Sequence, residues 1–185
     1  VTNMQIPLSF YAVSEYLNNN KFEIMLLDAN NDIIESFTID VLNGNYRTQF
    51  NKHIDNDFAN IVNAINYRIN ETSLTDLITA RIDSVDGKFI FDISQTIFDI
   101  HGGNVNCVYI NFDTDLDKNI TCNSSNKYHQ LTNQNIVSKL GWMLGFRKPS
   151  YKIEKENNNL ILVSEGICNI LGPKYLFLGV NDYQN

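Results

Sequence analysis

The stretch "LITARIDSVDGKFIFDIS", residues 77–94, places Asp86-Gly87 between two runs of strand-forming residues. Asp-Gly suits a two-residue hairpin turn because both central residues must reach positive φ, and Phe89, Phe91 and Ile93 then share one face of the returning strand. The same grammar recurs along the chain. "KFEIMLLDANNDIIESFTIDV" reads as strands Phe22 to Asp28 and Ile33 to Val41 around a turn at Ala29 to Asp32, whose Asn and Asp residues tolerate left-handed backbone angles. "TIFDI", "NCVYINF" and "KYHQL" are further strand-like runs, and "YKIEKENNNLILVSEGICNILGPKYLFLGV" alternates strand and turn signals to the end. The count is about eight or more short strands.

Two segments carry a helical period instead. In "NGNYRTQFNKHIDNDFANIVNAINYRIN" Thr48 is placed to act as an N-cap, and Phe50, Ile54, Phe58, Ile61, Val62, Ile65 and Ile69 follow at spacings of three and four. That predicts one long amphipathic helix near 48–70, roughly six turns, whose Asn-rich composition makes it depend on packing its apolar stripe against a sheet. A shorter helix is expected near 133–145, carrying Ile136, Val137, Leu140, Met143 and Leu144, closed by a left-handed Gly145 and stopped by Pro149. Strands do not alternate with helices, which argues against a parallel doubly wound sheet. The expected fold class is therefore β-rich α+β, an antiparallel sheet or sandwich with the long helix over one face or edge, read as a single domain over 1–185. Val1 in place of Met, and an end shortly after the apolar run "KYLFLGV", suggest a piece of a longer polypeptide.

A net charge of −7 and a pI near 4.8 set up a field that repels phosphate, so no specific nucleic-acid partner is expected. The nearest basic patch, Arg147, Lys148, Lys152 and Lys155, is interleaved with Glu154 and Glu156. Cys107, Cys122 and Cys168 are odd in number and lack Cys-x-x-Cys spacing, which points to neither a disulfide framework nor a zinc site. No run approaches the roughly 20 apolar residues of a membrane span.

Candidate chemistry is thin. "DTDLDK" begins as a calcium loop does, but Lys118 stands where the loop needs Gly and Ser124 where a bidentate Glu should close it, leaving a solvated acidic turn. A Cys107 nucleophile with His101 or His129 lacks a local signature, and His53, His101 and His129 lack the spacing of metal ligands. No catalytic, cofactor-binding or metal-ligating residue is assigned. "HGGNVN" reads as a tight connection between strands.

"SKLGWMLGFRKPSY", Ser138 to Tyr151, holds the only tryptophan and a Gly-x-x-x-Gly pair. A phosphate loop needs its glycines before a helix, and a membrane-helix contact needs a long apolar span; neither condition holds. The motif reads as a helix terminus. Gly141 marks a close approach to another backbone, and Trp142, Phe146, Arg147 and Tyr151 are the candidate interaction residues.

Two blocks carry a family likeness. "NGNYRTQFNKHIDNDFANIVNAIN" resembles the turn, Asn-Tyr and amphipathic helix of minor capsid or penton-like structural proteins of nucleocytoplasmic large DNA viruses and their relatives. "KLGWMLGFRKPSY" followed by "SEGICNILGPKYLFLGVNDYQN" is similar to the later part of the same proteins. The resemblance implies a virion structural role in the capsid, other capsid proteins and copies of the chain itself as partners, and β-sandwich architecture, often a jelly roll. It carries over no catalytic residue and no cofactor. A reading from another class is a β-sandwich binding module for a glycan or a host protein.

Overall fold

The computed structural model describes residues 11–49, 57–114, 136–156 and 160–171. Its strands are β1 Lys21–Leu27, β2 Ile33–Asp40, β3 Ile78–Ile82, β4 Lys88–Ile93, β5 Cys107–Asn111, β6 Ser150–Glu154 and β7 Ile161–Ile167. They form two antiparallel sheets, a four-stranded one in the order β2-β1-β5-β6 and a three-stranded one in the order β3-β4-β7. The chain is a β-rich α+β sandwich, as the turn pattern predicts. The seven described strands do not by themselves make the eight-stranded jelly roll.

Aromatic rings join the sheets. Phe22 of β1 lies 5.6 Å from Phe91 of β4 and 5.6 Å from Phe112, which follows β5. Phe146 stacks on Phe112 at 4.8 Å and on Phe91 at 5.9 Å, so it is a wedge touching both layers. All of these rings are fully buried within one core cluster that also takes in the helices described below. Each such side chain contributes about 2–3 kcal/mol of transfer free energy when removed from water.

The first hairpin follows its sequence signals closely. Asp28 accepts hydrogen bonds from the N–H groups of Asn30 and Asp32, and Asn31 takes the left-handed conformation at φ 65°. The Asp86-Gly87 hairpin exists too, but its loop is longer than expected. Asp83 N–H bonds the Lys88 carbonyl and Gly87 N–H bonds the Asp83 carbonyl, and only Gly87 has positive φ. The Asp83 carboxylate organises this loop by accepting from the N–H groups of Val85 and Asp86. These bonds hold its pKa below the usual carboxylate value.

The long helix is corrected. Helix α1 spans Ile61–Asn70, with Asn60 as its N-cap accepting from Val62 N–H and Asn63 N–H. Thr48 is no cap. The Asn60 side chain donates to the Thr48 carbonyl at 3.1 Å, whereas a continuous helix would hold positions twelve residues apart about 18 Å from each other. Thr48 and Asn60 are therefore neighbours in space rather than ends of one helix, and Arg47 pairs with Asn60 in a parallel bridge. Phe58, which the periodicity assigned to the buried stripe, is half exposed and packs edge-on against Tyr67 at 5.1 Å. Phe50 and Ile54 lie outside the described residues.

Helix α1 closes one side of the sandwich. Its Ile61, Ala64, Ile65 and Ile69 enter the core, while Asn66 serves the free edge of β3: its side chain accepts from Ala80 N–H at 2.7 Å and donates to the Ala80 carbonyl at 2.8 Å. Two residues on, Arg68 donates to the Asp40 carbonyl and pairs with the Asp40 carboxylate at the end of β2. Asn66→Ala strips both Ala80 groups of their partner and is expected to cost about 1–2 kcal/mol. Urea unfolding should report that loss, with faster hydrogen exchange at the Ala80 amide as the local signature.

Two other expectations change. "TIFDI" is no strand; residues Gln95–Phe98 form a 3-10 turn with the Ser94 hydroxyl accepting from Thr96 N–H, followed by a helical turn at Ile100–Gly103. In that second turn His101, Gly102 and Gly103 all have positive φ, and the His101 ring is held 2.8 Å from the Glu35 carboxylate. The expected 133–145 helix divides into a 3-10 turn at Ile136–Ser138 and helix α2 at Leu140–Leu144, five residues long. Residues 133–135 and the run "KYHQL" lie outside the described residues.

Candidate interaction site at the sheet junction

On the side away from α1, the two sheets are joined by the motif that ends α2. Gly145 takes φ 102°, Phe146 N–H bonds the Gly141 carbonyl and Gly145 N–H bonds the Trp142 carbonyl, the paired closure of a glycine-terminated helix. The Gly145 carbonyl then accepts from Gly166 N–H of β7 at 2.8 Å. The approach is so close that a Cβ on Gly145 would lie 2.2 Å from the Gly166 carbonyl oxygen. The close backbone approach predicted for Gly141 is therefore found at Gly145. A Cβ on Gly141 would instead strike the ring of Phe112, at 2.3 Å.

β7 bulges to receive the motif. Ile90 pairs with Val163 and Lys88 with Ile167, so β7 carries extra residues where β4 has Phe89 alone. The buried Ser164 hydroxyl repairs the ladder by accepting from Phe89 N–H and donating to the Gly166 carbonyl. The bulge also aims Glu165 at the neighbouring sheet. Its carboxylate accepts from the Tyr151 hydroxyl at 2.6 Å and from Arg147 N–H at 3.1 Å, while the Tyr151 oxygen accepts from the N–H groups of Arg147 and Lys148.

The four residues singled out from the sequence do come together, but not in one role. Phe146 is fully buried in the aromatic core, which corrects its assignment as an exposed contact; a benzyl side chain at the junction of two sheets gains more from filling the gap between them. Tyr151 is half-buried against Phe146 at 5.2 Å, with its hydroxyl turned to Glu165. Trp142 and Arg147 remain toward solvent as a stacked pair, the guanidinium carbon 4.2 Å from the ring centroid. Arg147 Nη1 also donates to the Trp142 and Phe146 carbonyls, so the benefit of a cation at this helix end is a direct hydrogen bond. Glu165 and Gly166 were not singled out. The signal was a glycine inside a strand pattern, which marks a bulge or close backbone approach.

The electrostatics fit a structural lock. Burial, then the bond to Glu165, pushes the Tyr151 phenol up to about 12. Burial works to raise the Glu165 carboxyl, but the hydrogen bonds from Tyr151, its own N–H and Arg147 N–H, with the charge of Lys148, hold it below the usual carboxylate value. A depressed carboxyl contributes stability that is present above its unfolded pKa and lost as pH falls through the folded one; a raised phenol contributes stability present below pH ~10 and lost as pH rises toward its folded value. Glu165→Gln is accordingly expected to flatten the acid limb of a stability-against-pH curve and to shorten the alkaline limb, since burial still raises the Tyr151 phenol but the carboxylate no longer adds to it. Thermal melts across the acid range would detect it.

Cys107 and His101 take no part in the bonds of the junction. Cys107 is fully buried in β5 opposite Leu27, and burial pushes the Cys168 thiol up to about 12. His53, His129 and Cys122 lie outside the described residues, as does all of "DTDLDK" after Thr114. Among the described residues no group of His, Cys, Asp and Glu side chains is arranged to hold a metal ion, and no helix is long and apolar enough to cross a membrane. No family model, curated protein or solved structure matches the chain.

Proposed function

We propose that this chain is a virion structural protein, a minor capsid or penton-like component that acts through contacts with other capsid proteins and with copies of itself. The observation that carries the reading is the junction. Gly145, Phe146 and Arg147 of one quoted stretch interlock with Ser164, Glu165 and Gly166 of the next, so the described parts of the two later stretches of the resemblance pack as one unit. Its titratable groups are bonded to each other, and neither titrates near neutrality, which suits a lock better than an acid–base site.

Exposed apolar side chains offer contact area elsewhere. Tyr11, Tyr16, Leu17 and Leu42 are exposed in two loops tied together by Glu15 N–H to the Asn43 side chain and by the Val13–Gly44 bridge. Quantitative mass spectrometry and single-particle imaging of purified virions test the reading: the chain should be present in fixed stoichiometry at a defined symmetry position. A strictly monomeric chain absent from purified particles would end it. A glycan array with selective binding would move the assignment to the binding-module class.

A further inference from the structure

The four outer strands of the two sheets differ in how their backbones are protected. β3 has Ala80 satisfied by Asn66. β7 is bonded through Gly166 to Gly145. β6 is five residues long and carries Lys152 and Glu154, charges that discourage edge pairing. β2 is eight residues, "IIESFTID", with no Pro, Gly or Lys.

The direction of its free groups follows from the ladder. Val41 N–H bonds the Asn20 carbonyl, so alternate residues Ile39, Phe37 and Glu35 turn their main-chain groups to β1, and Ser36, Thr38 and Asp40 turn theirs outward. The Asp40 carbonyl accepts from Arg68 Nε, as this parity requires. Among the described residues no donor or acceptor meets the outward main chain of Ser36 or Thr38, and both side chains are exposed.

We propose that β2 pairs antiparallel with β2 of a second copy of this chain, about a two-fold axis centred on Phe37, joining two four-stranded sheets edge to edge. In that register Ser36 of each copy faces Thr38 of the other, and each such pair exchanges both of its N–H···O bonds. The two hydroxyl side chains meet on the outer face, and the half-buried Phe37 rings meet across the axis on the inner one. Glu35 faces Ile39 and Asp40 faces Ile34, so no like charges oppose each other. A slip that sets Glu35 against Glu35 loses that property. The occupant is a second copy because an edge whose pattern is complementary to itself in one register, and whose charges avoid each other there, needs no other chain. The inference does not depend on the capsid reading and is tested in solution without particles.

Sedimentation velocity over a concentration series, to roughly 100 μM, should show a reversible dimer. Ser36→Lys with Thr38→Lys places lysines opposite lysines and should weaken dimerisation about tenfold or more. Thr38→Pro removes an outward N–H that the fold itself does not use and should weaken it as well. Circular dichroism and melting of each variant check that the monomer is intact. In the unaltered chain, hydrogen exchange at the Ser36 and Thr38 amides should slow as concentration rises. A chain that stays monomeric across the series, a dimer indifferent to both variants, or exchange at these amides that ignores concentration overturns the proposal.

Discussion

Gly145→Ala is expected to destabilise the fold by about 2–5 kcal/mol, combining the cost of a left-handed non-glycine residue with that of an overpacked contact. At φ 102° an alanine is strained whatever space surrounds it, and here its Cβ would sit 2.2 Å from the Gly166 carbonyl oxygen. Backbone cannot rotate aside as a side-chain tip can. To relieve the clash the motif must lift off β7, which breaks the Gly166-to-Gly145 hydrogen bond and pulls Arg147 N–H from Glu165. Urea unfolding with an unchanged m-value would report the loss as stability rather than as a change in the unfolded ensemble. Gly44→Ala is the control: its φ is ordinary, and the nearest atom to a new Cβ is Tyr46 at 3.4 Å, ordinary contact. It should stay within about 1 kcal/mol of the parent. If the two variants behave alike, Gly145 is not the point where α2 locks onto β7.

What could be read from the sequence divides along a physical line. Where one residue's own chemistry decides the local backbone, the reading is close: Asp28 and Asn31 form the first turn, Gly145 closes α2, and β1 and β2 fall within a residue of their expected bounds. Where a side chain is decided by a distant partner, the reading fails. The apolar period across 48–70 runs through Asp57 and Asn60 without a break, yet Asp57 is buried in an ion pair with Arg47 and Asn60 caps the helix, so the helix starts at Ile61 where periodicity predicts continuity. The Asp86-Gly87 loop is the exception to this line: Asp83 gathers the N–H groups two and three residues on, the same local chemistry as at Asp28, and lengthens a loop that the Asp-Gly pair alone reads as two residues. The candidate site shows the same division. The stretch from Trp142 to Tyr151 was legible as a helix end rich in aromatics, but Glu165, the partner that fixes Tyr151, lies fourteen residues on, in another sheet.

Phe146→Ala and Trp142→Ala separate anchoring from contact within that one motif. Phe146 lies against Phe89, Phe91, Phe112 and Tyr151, and its removal opens a cavity where the two sheets meet, at an expected cost of about 3–5 kcal/mol. Trp142 lies only partly within the surface and its stack with Arg147 is solvent-facing, so Trp142→Ala should cost about 1 kcal/mol or less, most of it from the lost cation–π contact. Denaturant midpoints should rank the two accordingly. Incorporation into particles, if the proposed role holds, should rank them differently: Trp142→Ala should reduce it while the fold survives, whereas Phe146→Ala should reduce it only in step with the unfolded fraction. A Trp142→Ala chain that folds and assembles as well as the parent removes the Trp142–Arg147 face from the contacts. The lock beneath it would be unaffected, since Gly145, Phe146 and Glu165 hold the sheets together through atoms that the Trp142 side chain does not supply, and the Trp142 carbonyl that closes the helix is kept in the alanine variant.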